Sequence, residues 1–450
     1  MKHPSDSRIA GFLLLIAISF GSLTLPVSAQ PSAPWRTLFD GRSLDGWTQY
    51  GGDADYFARD GVLYGVTVLH SPNSFLSTEE AFDDFILEYE VLPNPEFNSG
   101  VQFRSQLNAS NTVYGYQVEL DPSPRAWSGG IYDEQRRGWL YPLTRNPAAQ
   151  QAYRPGEWNH FRVEAIGNSI RTWINGVEAS NILDDQSASG FIGLQVHSVG
   201  SDPAMDGLAV AWRNIRILTE DLDAEATPAS GLFQANYLPN TISPREQREG
   251  WRLLWDGATT DGWRGARLDG FPENGWAIED GILKVLPSDG AESANGGDIV
   301  TVDTYGDFEL MVDFRITRGA NSGIKYFVDP DLNQGPGSAI GCEFQILDDA
   351  RHPDAKMGVE GNRTMGALYD LIPPGYKRVS RPGQWNRAHI VVRGSHVEHW
   401  LNGVKLLEYQ RRTPMWEALV NYSKYTDWPG FGNAERGHIF LAKRIVLAME

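Results

Sequence analysis

From residue 47 onward apolar and polar positions alternate at period two, in short runs broken by glycine, asparagine and proline. Residues 84–92 (DFILEYEVL), 113–121 (VYGYQVELD), 159–167 (NHFRVEAIG) and 169–176 (SIRTWING) predict half-buried strands. Asn175-Gly176 and Asn402-Gly403 predict tight hairpin turns. No long stretch carries the 3.6-residue period of an amphipathic helix. The pattern therefore predicts an all-β chain.

The pattern also repeats. Phe39-Asp40-Gly41 with Asp45-Gly46-Trp47 returns as Trp255-Asp256-Gly257 with Asp261-Gly262-Trp263. Asp60-Gly61-Val62-Leu63 returns as Asp280-Gly281-Ile282-Leu283, and Asn98-Ser99-Gly100-Val101 as Asn321-Ser322-Gly323-Ile324. Gly129 to Asp133 matches Gly366 to Asp370. Gly156-Glu-Trp158-Asn159 and Trp173-Ile-Asn175-Gly176-Val177 match Gly383-Gln-Trp385-Asn386 and Trp400-Leu-Asn402-Gly403-Val404 with the same internal spacing. A period this long is a tandem domain duplication rather than a solenoid. Two jelly-roll β-sandwiches follow, over 35–218 and 250–450. The acidic, proline-punctuated segment 219–249 reads as a linker, with Leu232, Phe233 and Tyr237 available to pack on a domain.

Composition then narrows the class. A chain of 450 residues holds two or three domains, and 41% hydrophobic with 21% charged residues is that of a globular protein. A dispersed net charge of −18 argues against nucleic acid as a partner. The single cysteine, Cys342, excludes an intramolecular disulfide framework and a cysteine-based zinc site. Lys2 and Arg8, the apolar run from Ile9 to Leu25 and the small residues Val27-Ser28-Ala29 predict a signal peptide over 1–29, with Gln30 the first mature residue. The expected product is exported, periplasmic or extracellular, with no integral membrane span after cleavage.

Strand alternation brings out one polar row in each copy. Gln117, Glu119 and Asp121 share a face in the first. Glu343 and Gln345 share one in the second, with Asp348 at the strand end. Carboxylates and amides on one sheet face suit a hydroxyl-rich ligand, and neighbouring carboxyls push their pKa values apart. A solvated sheet face is the bland alternative. By the same alternation Arg104 joins Gln102 on one face, in position to stabilise an oxyanion or to form a surface salt bridge, and Lys325 joins Phe327. Gln195 and His197 share a face in another strand, His197 being a candidate acid or base or simply a hydrogen-bonded histidine. Trp47, Trp263, Trp158 and Trp385 stand at repeat-equivalent turns and are expected to anchor strands, whereas Trp127, Trp139 and Trp428 lie in loop-like surroundings suited to stacking on a sugar. No nucleotide-binding or metalloprotease motif is present. No cofactor is identified, and a divalent metal is left open because no ligand cluster is readable locally.

Together the FDGRSLDGW start, the NSG turns, the Gln/Glu strand, GGIYD or GALYD, the GEWN turn, the W-I-N-G-V hairpin and the Q-x-H strand resemble the 3-keto-disaccharide hydrolase domain family. That family is similar to concanavalin-type lectin and glucanase sandwiches. The resemblance implies hydrolysis of glycosides already oxidised at C3 by a separate sugar 3-dehydrogenase, a functional partner. A C3 ketone acidifies the C2 hydrogen, so a base removes it, the C1 substituent leaves and water adds. The resemblance and residue types together nominate Glu119 or His197 as base and acid, with Arg104 and Gln117 as stabilisers and Asp121, Tyr132 and Gln195 near the sugar. The second set is Glu343 and Asp348, with Lys325, Gln345, Tyr369, Lys424 and Trp428 for binding. After Leu441 the second copy departs into AKRIVLAME, so the Q-x-H pair and final Arg-Asn-Ile strand of the first copy have no counterpart and an incomplete or divergent sandwich is expected. The competing reading is a non-catalytic, lectin-like tandem module whose partner is a carbohydrate.

Overall fold

The computed structural model describes residues 35–286, 297–333 and 337–442, and the backbone of 446–449. The predicted signal peptide lies outside the described residues. Each copy is a two-sheet β-sandwich. In the first, the front sheet runs Gly138–Tyr141, Ile131–Glu134, Val113–Leu120, Ser99–Leu107, Phe191–Val196, Ser74–Thr78, Trp47–Gly51. The back sheet runs Ala235–Asn236, Val177–Leu183, Ser169–Ile174, Asn159–Ile166, Phe85–Leu92, Ala209–Leu218, Val62–Val66, Asp55–Arg59. Alternation fixes what lies between the sheets: Val101, Tyr116, Val118 and Leu194 from the front meet Leu87, Tyr89, Val91 and Phe161 from the back, all buried. Each such side chain contributes about 1.5–3 kcal/mol by leaving water.

The second copy keeps this plan. Its front sheet runs Trp263–Gly265, Ile299–Thr301, His438–Leu441, Asn321–Asp329, Ile340–Leu347. Its back sheet runs Trp276–Glu279, Ile282–Val285, Val446–Met449, Phe308–Arg315, Trp385–Arg393, His396–Leu401, Val404–Gln410. Val446–Met449 pairs with both Ile282–Val285 and Phe308–Arg315. Ala209–Leu218 has the corresponding neighbours in the first copy. The divergent tail thus supplies a closing strand of four residues where the first copy uses ten.

Repeated motifs have repeated structural roles. Asp40 and Asp256 accept backbone N–H groups of their own turns. Trp47 and Trp263 donate their indole N–H to Leu38 and Leu254 carbonyls at 3.0 and 2.7 Å, the anchoring role predicted for them. The Asn-Gly turns have both residues at positive φ, 48° and 81° in one copy and 49° and 77° in the other, which suits the twist of a two-residue hairpin.

The front sheet also departs from simple alternation. Its long strand carries a bulge in both copies, between Phe103 and Gln106 and between Tyr326 and Asp329. Arg104 and Phe327 stand there at φ 45° and 54°. The adjacent strand starts so close to the bulge that a Cβ on Gly190 would meet Ser105 O at 2.3 Å, and one on Gly437 would meet Phe327 Cα at 2.4 Å. Glycine at these two positions is what lets the strand approach.

The linker is not a free tether. Ala235–Asn236 adds a short parallel strand to Val177–Leu183, and Leu232, Phe233 and Tyr237 pack on the first core. The copies also touch. Thr144 Oγ1 donates to Gly403 O at 2.6 Å, and Ser380 Oγ donates to Arg137 O at 2.8 Å. Arg145 lies over the Trp400 ring at 3.9 Å and donates to His389 Nδ1 at 3.0 Å. His389 therefore presents Nε2–H, which Glu309 accepts at 3.0 Å.

Candidate active site

Val118 and Leu120 face the core, so Gln117 and Glu119 stand on the outward face as predicted, yet they are only 2% and 5% exposed. Asn98 Nδ2 donates to Glu119 Oε1 at 2.6 Å, and Gln117 Nε2 donates to Oε2 at 2.9 Å. Behind them Gln102 Nε2 donates to Gln117 Oε1 at 2.8 Å, and Ser105 Oγ to Gln102 Oε1 at 2.6 Å. Burial dominates the Glu119 carboxyl and lifts it to about 7, against the pull of the two amide donors. Asp121 adds to the rise, and the Arg125 guanidinium at 3.9 Å opposes it. Gly100, opposite Glu119 in register, makes room for this row, because a Cβ there would lie 2.5 Å from Gln117 Cδ.

Gln195 faces Gly100 from the other side, is 1% exposed and leaves Oε1 without a hydrogen-bond partner among the described residues. His197 follows that strand, half-buried, with Nδ1–H donating to Ser198 O at 2.8 Å. Its charge acts on Glu134, a buried carboxyl that sequence reasoning missed. Burial pushes Glu134 upward, while a hydrogen bond from Gln135 and then the His197 charge pull the other way. The signal was available, since alternation along Tyr132-Asp133-Glu134 puts Tyr132 and Glu134 on the face of Gln117 and Glu119. Tyr132 sits directly opposite Gln117 and is half-buried. Asn98, the other residue missed, lies at the NSG turn that the repeat had marked.

Arg104 is not part of this constellation. The bulge sends its side chain to the back sheet, where Nε donates to Asp83 O, Nη1 to Gly167 O and Nη2 to Asp84 Oδ1 and Ala165 O. Its guanidinium ties the sandwich together and has no reach to Glu119. The predicted pairing of Arg104 with Gln102, and of Lys325 with Phe327, fails because one extra residue in the strand reverses the face. Asp121 is likewise committed: it accepts from Ser123 N, Arg125 Nε and Trp127 N and so organises its own loop. Trp127 and Trp139 are buried, packed edge to face at 4.8 Å under Arg125, and offer no open stacking face.

The second copy carries the same row with its polarity exchanged. Gly323 pairs with Gln345 as Gly100 pairs with Glu119, and Lys325 pairs with Glu343 as Gln102 pairs with Gln117. Gln345 thus occupies the place of Glu119, and Glu343 that of Gln117. Donors reverse accordingly: Gln345 Nε2 gives a hydrogen bond to Asn321 Oδ1 at 3.2 Å, whereas Asn98 gives one to Glu119. Glu343 lies 3.9 Å from the Lys325 ammonium, which also donates to Ser338 Oγ at 2.7 Å and Ala339 O at 3.1 Å. Tyr369 follows Glu343 as Tyr132 follows Gln117; its hydroxyl donates to Asp354 at 2.8 Å and the Lys424 ammonium sits 4.1 Å from its ring centre. Trp428 is half-buried and tilted against Tyr425. Asp348 holds its loop, accepting Gly319 N–H at 2.8 Å and pairing with Arg351. Burial pushes Asp348 up, but these donors outweigh it and the carboxyl ends below its ordinary range.

Among the described residues, His396, Glu398 and Glu408 form a group able to hold a cation. It lies on the back sheet of the second copy, and Lys405 already pairs with Glu408 at 2.8 Å and Glu398 at 3.6 Å.

The profile of the 3-keto-alpha-glucoside-1,2-lyase-like domain family matches residues 34–218 and again 250–444. The chain belongs to that family. It contains the domain twice, and membership places it among carbohydrate-active proteins. A Bacteroides thetaiotaomicron 3-keto-disaccharide hydrolase is 37% identical over 193 residues, which are 40% of this chain and 66% of the relative. The chain therefore spans just under two thirds of that relative's length. A crystal structure from Parabacteroides distasonis, provisionally named a glycosyl hydrolase, is 28% identical with a TM-score of 0.41, covering 47% of this chain and 97% of its own. The Bacillus subtilis carbohydrate-binding module CBM66 is 16% identical with a TM-score of 0.28, covering 38% of this chain and 95% of its own. No described helix is long and apolar enough to cross a membrane.

Proposed function

We propose that the protein cleaves glycosides oxidised at C3, by removing the C2 proton and expelling the C1 substituent. Glu119 carries this reading: a buried carboxyl lifted to about 7 is poised to exchange a proton near neutrality. The C2 proton passes to the carboxylate, the electron pair becomes the enolate of the C3 ketone, and collapse of the enolate breaks the C1–O bond. The leaving oxygen takes a proton from an acid, and water then adds across C1 and C2. The free products are a 3-keto sugar and an alcohol. The amides of Gln117 and Asn98 orient the base, and Tyr132, His197 and Glu134 are the groups able to serve the leaving oxygen. In the second copy an amide, Gln345, stands where Glu119 does, and the candidate base is instead Glu343 at the Gln117 position, beside the Lys325 ammonium.

The substrate is supplied by a sugar 3-dehydrogenase, and the chain is exported after cleavage behind Ala29. The family membership and the 3-keto-disaccharide hydrolase relative support the substrate class. The test is aglycone release from a 3-keto-glucoside and its unoxidised parent. Cleavage of the keto form alone, slowed by deuterium at C2, is expected. Cleavage of neither, with sugar binding retained, would refute the reading and leave a lectin-like module.

A further inference from the structure

The Tyr132 edge of the first front sheet does not face open solvent. Residues 377–381 of the second domain lie across from it, and the two enclose a cleft of about 500 Å³. The cleft is basic in a chain whose net charge is −18. Some of that charge is already matched. Asp133 is taken by Arg136 and Arg137, Arg137 is also held by Asp184, and Lys377 is paired with Asp349 at 2.7 Å. Arg378 and Arg381, both exposed, make no ion pair among the described residues, and Arg136 Nη2 is buried without a hydrogen-bond partner. Two guanidinium groups without a carboxylate partner among the described residues, Arg378 and Arg381, therefore line one opening.

The opening shares Tyr132 with the candidate active site. Tyr132 lines it and is the register partner of Gln117, whose neighbour on the same face is Glu119. Burial chiefly raises the Tyr132 hydroxyl; Glu134 and Glu119 act on it from one side and Arg378 from the other. Tyr132 thus belongs both to the polar row, through its register partner Gln117, and to the lining of the basic cleft.

We propose that this interdomain cleft is the leaving-group subsite of the first-domain centre and that it takes an aglycone bearing an anion, a carboxylate or a sulfate ester. The assignment rests on the reading of the first-domain site given above. Guanidinium forks pair bidentately with such groups, which explains arginine on the unpaired positions. It also gives the duplication a purpose, because the first copy's arginines in the cleft are held by Asp133 and Asp184 and the second copy furnishes the two without a carboxylate partner.

The test is calorimetric titration of the full chain with cellobionate, with a sulfate ester of cellobiitol and with neutral cellobiitol, in low and high salt. One or both anionic ligands should bind on the order of tenfold tighter than cellobiitol at low salt. That preference should shrink with salt and vanish in Arg378→Ala/Arg381→Ala. The ligand that shows it identifies the anion. Equal binding of all three, or a preference that survives the double substitution, overturns the proposal. Cleavage of a neutral 3-keto-glucoside is measured in parallel. If wild-type protein lacks it while the arginine-dependent preference persists, the proposed chemistry fails and the anion subsite stands.

Discussion

Replacing Glu119 with glutamine tests the buried carboxyl through stability as well as turnover. The folded carboxyl sits at about 7 against an ordinary value of 4.5. Below pH 4.5 both folded and unfolded chains hold the proton, and the stabilising preference of the folded state for it is fully present. Between 4.5 and 7 the unfolded carboxyl ionises while the folded one does not, so stability falls as pH rises. Above 7 the loss is complete, and 2.5 units at 1.36 kcal/mol each give roughly 3 kcal/mol. In Glu119→Gln the introduced amide has no proton to lose. It leaves one of the two neighbouring amides, Asn98 or Gln117, without an acceptor, a pH-independent cost of about 1 kcal/mol. Relative to wild type, the variant should therefore be less stable at pH 4 and about 2 kcal/mol more stable at pH 8, while turnover is lost at pH 8, where the wild-type carboxylate is ionised. Urea unfolding of the first domain, followed by hydrogen exchange at its front-sheet amides, gives the difference at each pH. A variant-minus-wild-type difference that stays constant from pH 4 to 8 would refute the argument that Glu119 is held protonated by burial.

The remaining predictions address the other placements. Arg104→Ala should cost the first domain about 3 kcal/mol or more, because Asp83, Ala165 and Gly167 carbonyls and Asp84 lose their donor; a large drop in activity with unchanged thermal stability would return Arg104 to the active site. Gly190→Ala should destabilise by about 1–3 kcal/mol, since the new Cβ would meet Ser105 O at 2.3 Å; an unchanged melting temperature would refute the close approach. In the second core, burial holds the imidazole of His399 down at about 4. Stability there is present above pH 6.5 and lost as pH falls towards 4, by about 3 kcal/mol, and His399→Gln should flatten that acid limb in chemical denaturation. N-terminal sequencing of exported protein should begin at Gln30.

Much of this protein is written in its sequence, and the reasons are local. A side-chain period of two reports which residues leave water, so the sandwich class followed without any partner strand being known. A duplicated chain checks itself, because Trp47 and Trp263, or the two Asn-Gly turns, solve the same local problem twice. The outward row of Gln117 and Glu119 was legible for the same reason.

What the sequence alone left open depends on atoms brought in from far along the chain. A bulge is defined by the strand opposite, so nothing in residues 101–106 announces that Arg104 turns to the back sheet and bonds Asp83, Ala165 and Gly167. The exchange of carboxylate and amide between the copies appears only once Gly100 is set against Glu119 and Gly323 against Gln345. Burial, and not residue type, lifts Glu119 and lowers His399. The basic cleft belongs to neither domain by itself. Local periodicity decided the strands and their faces, while packing decided which polar groups were buried, which were already spent, and which remained free to meet a ligand.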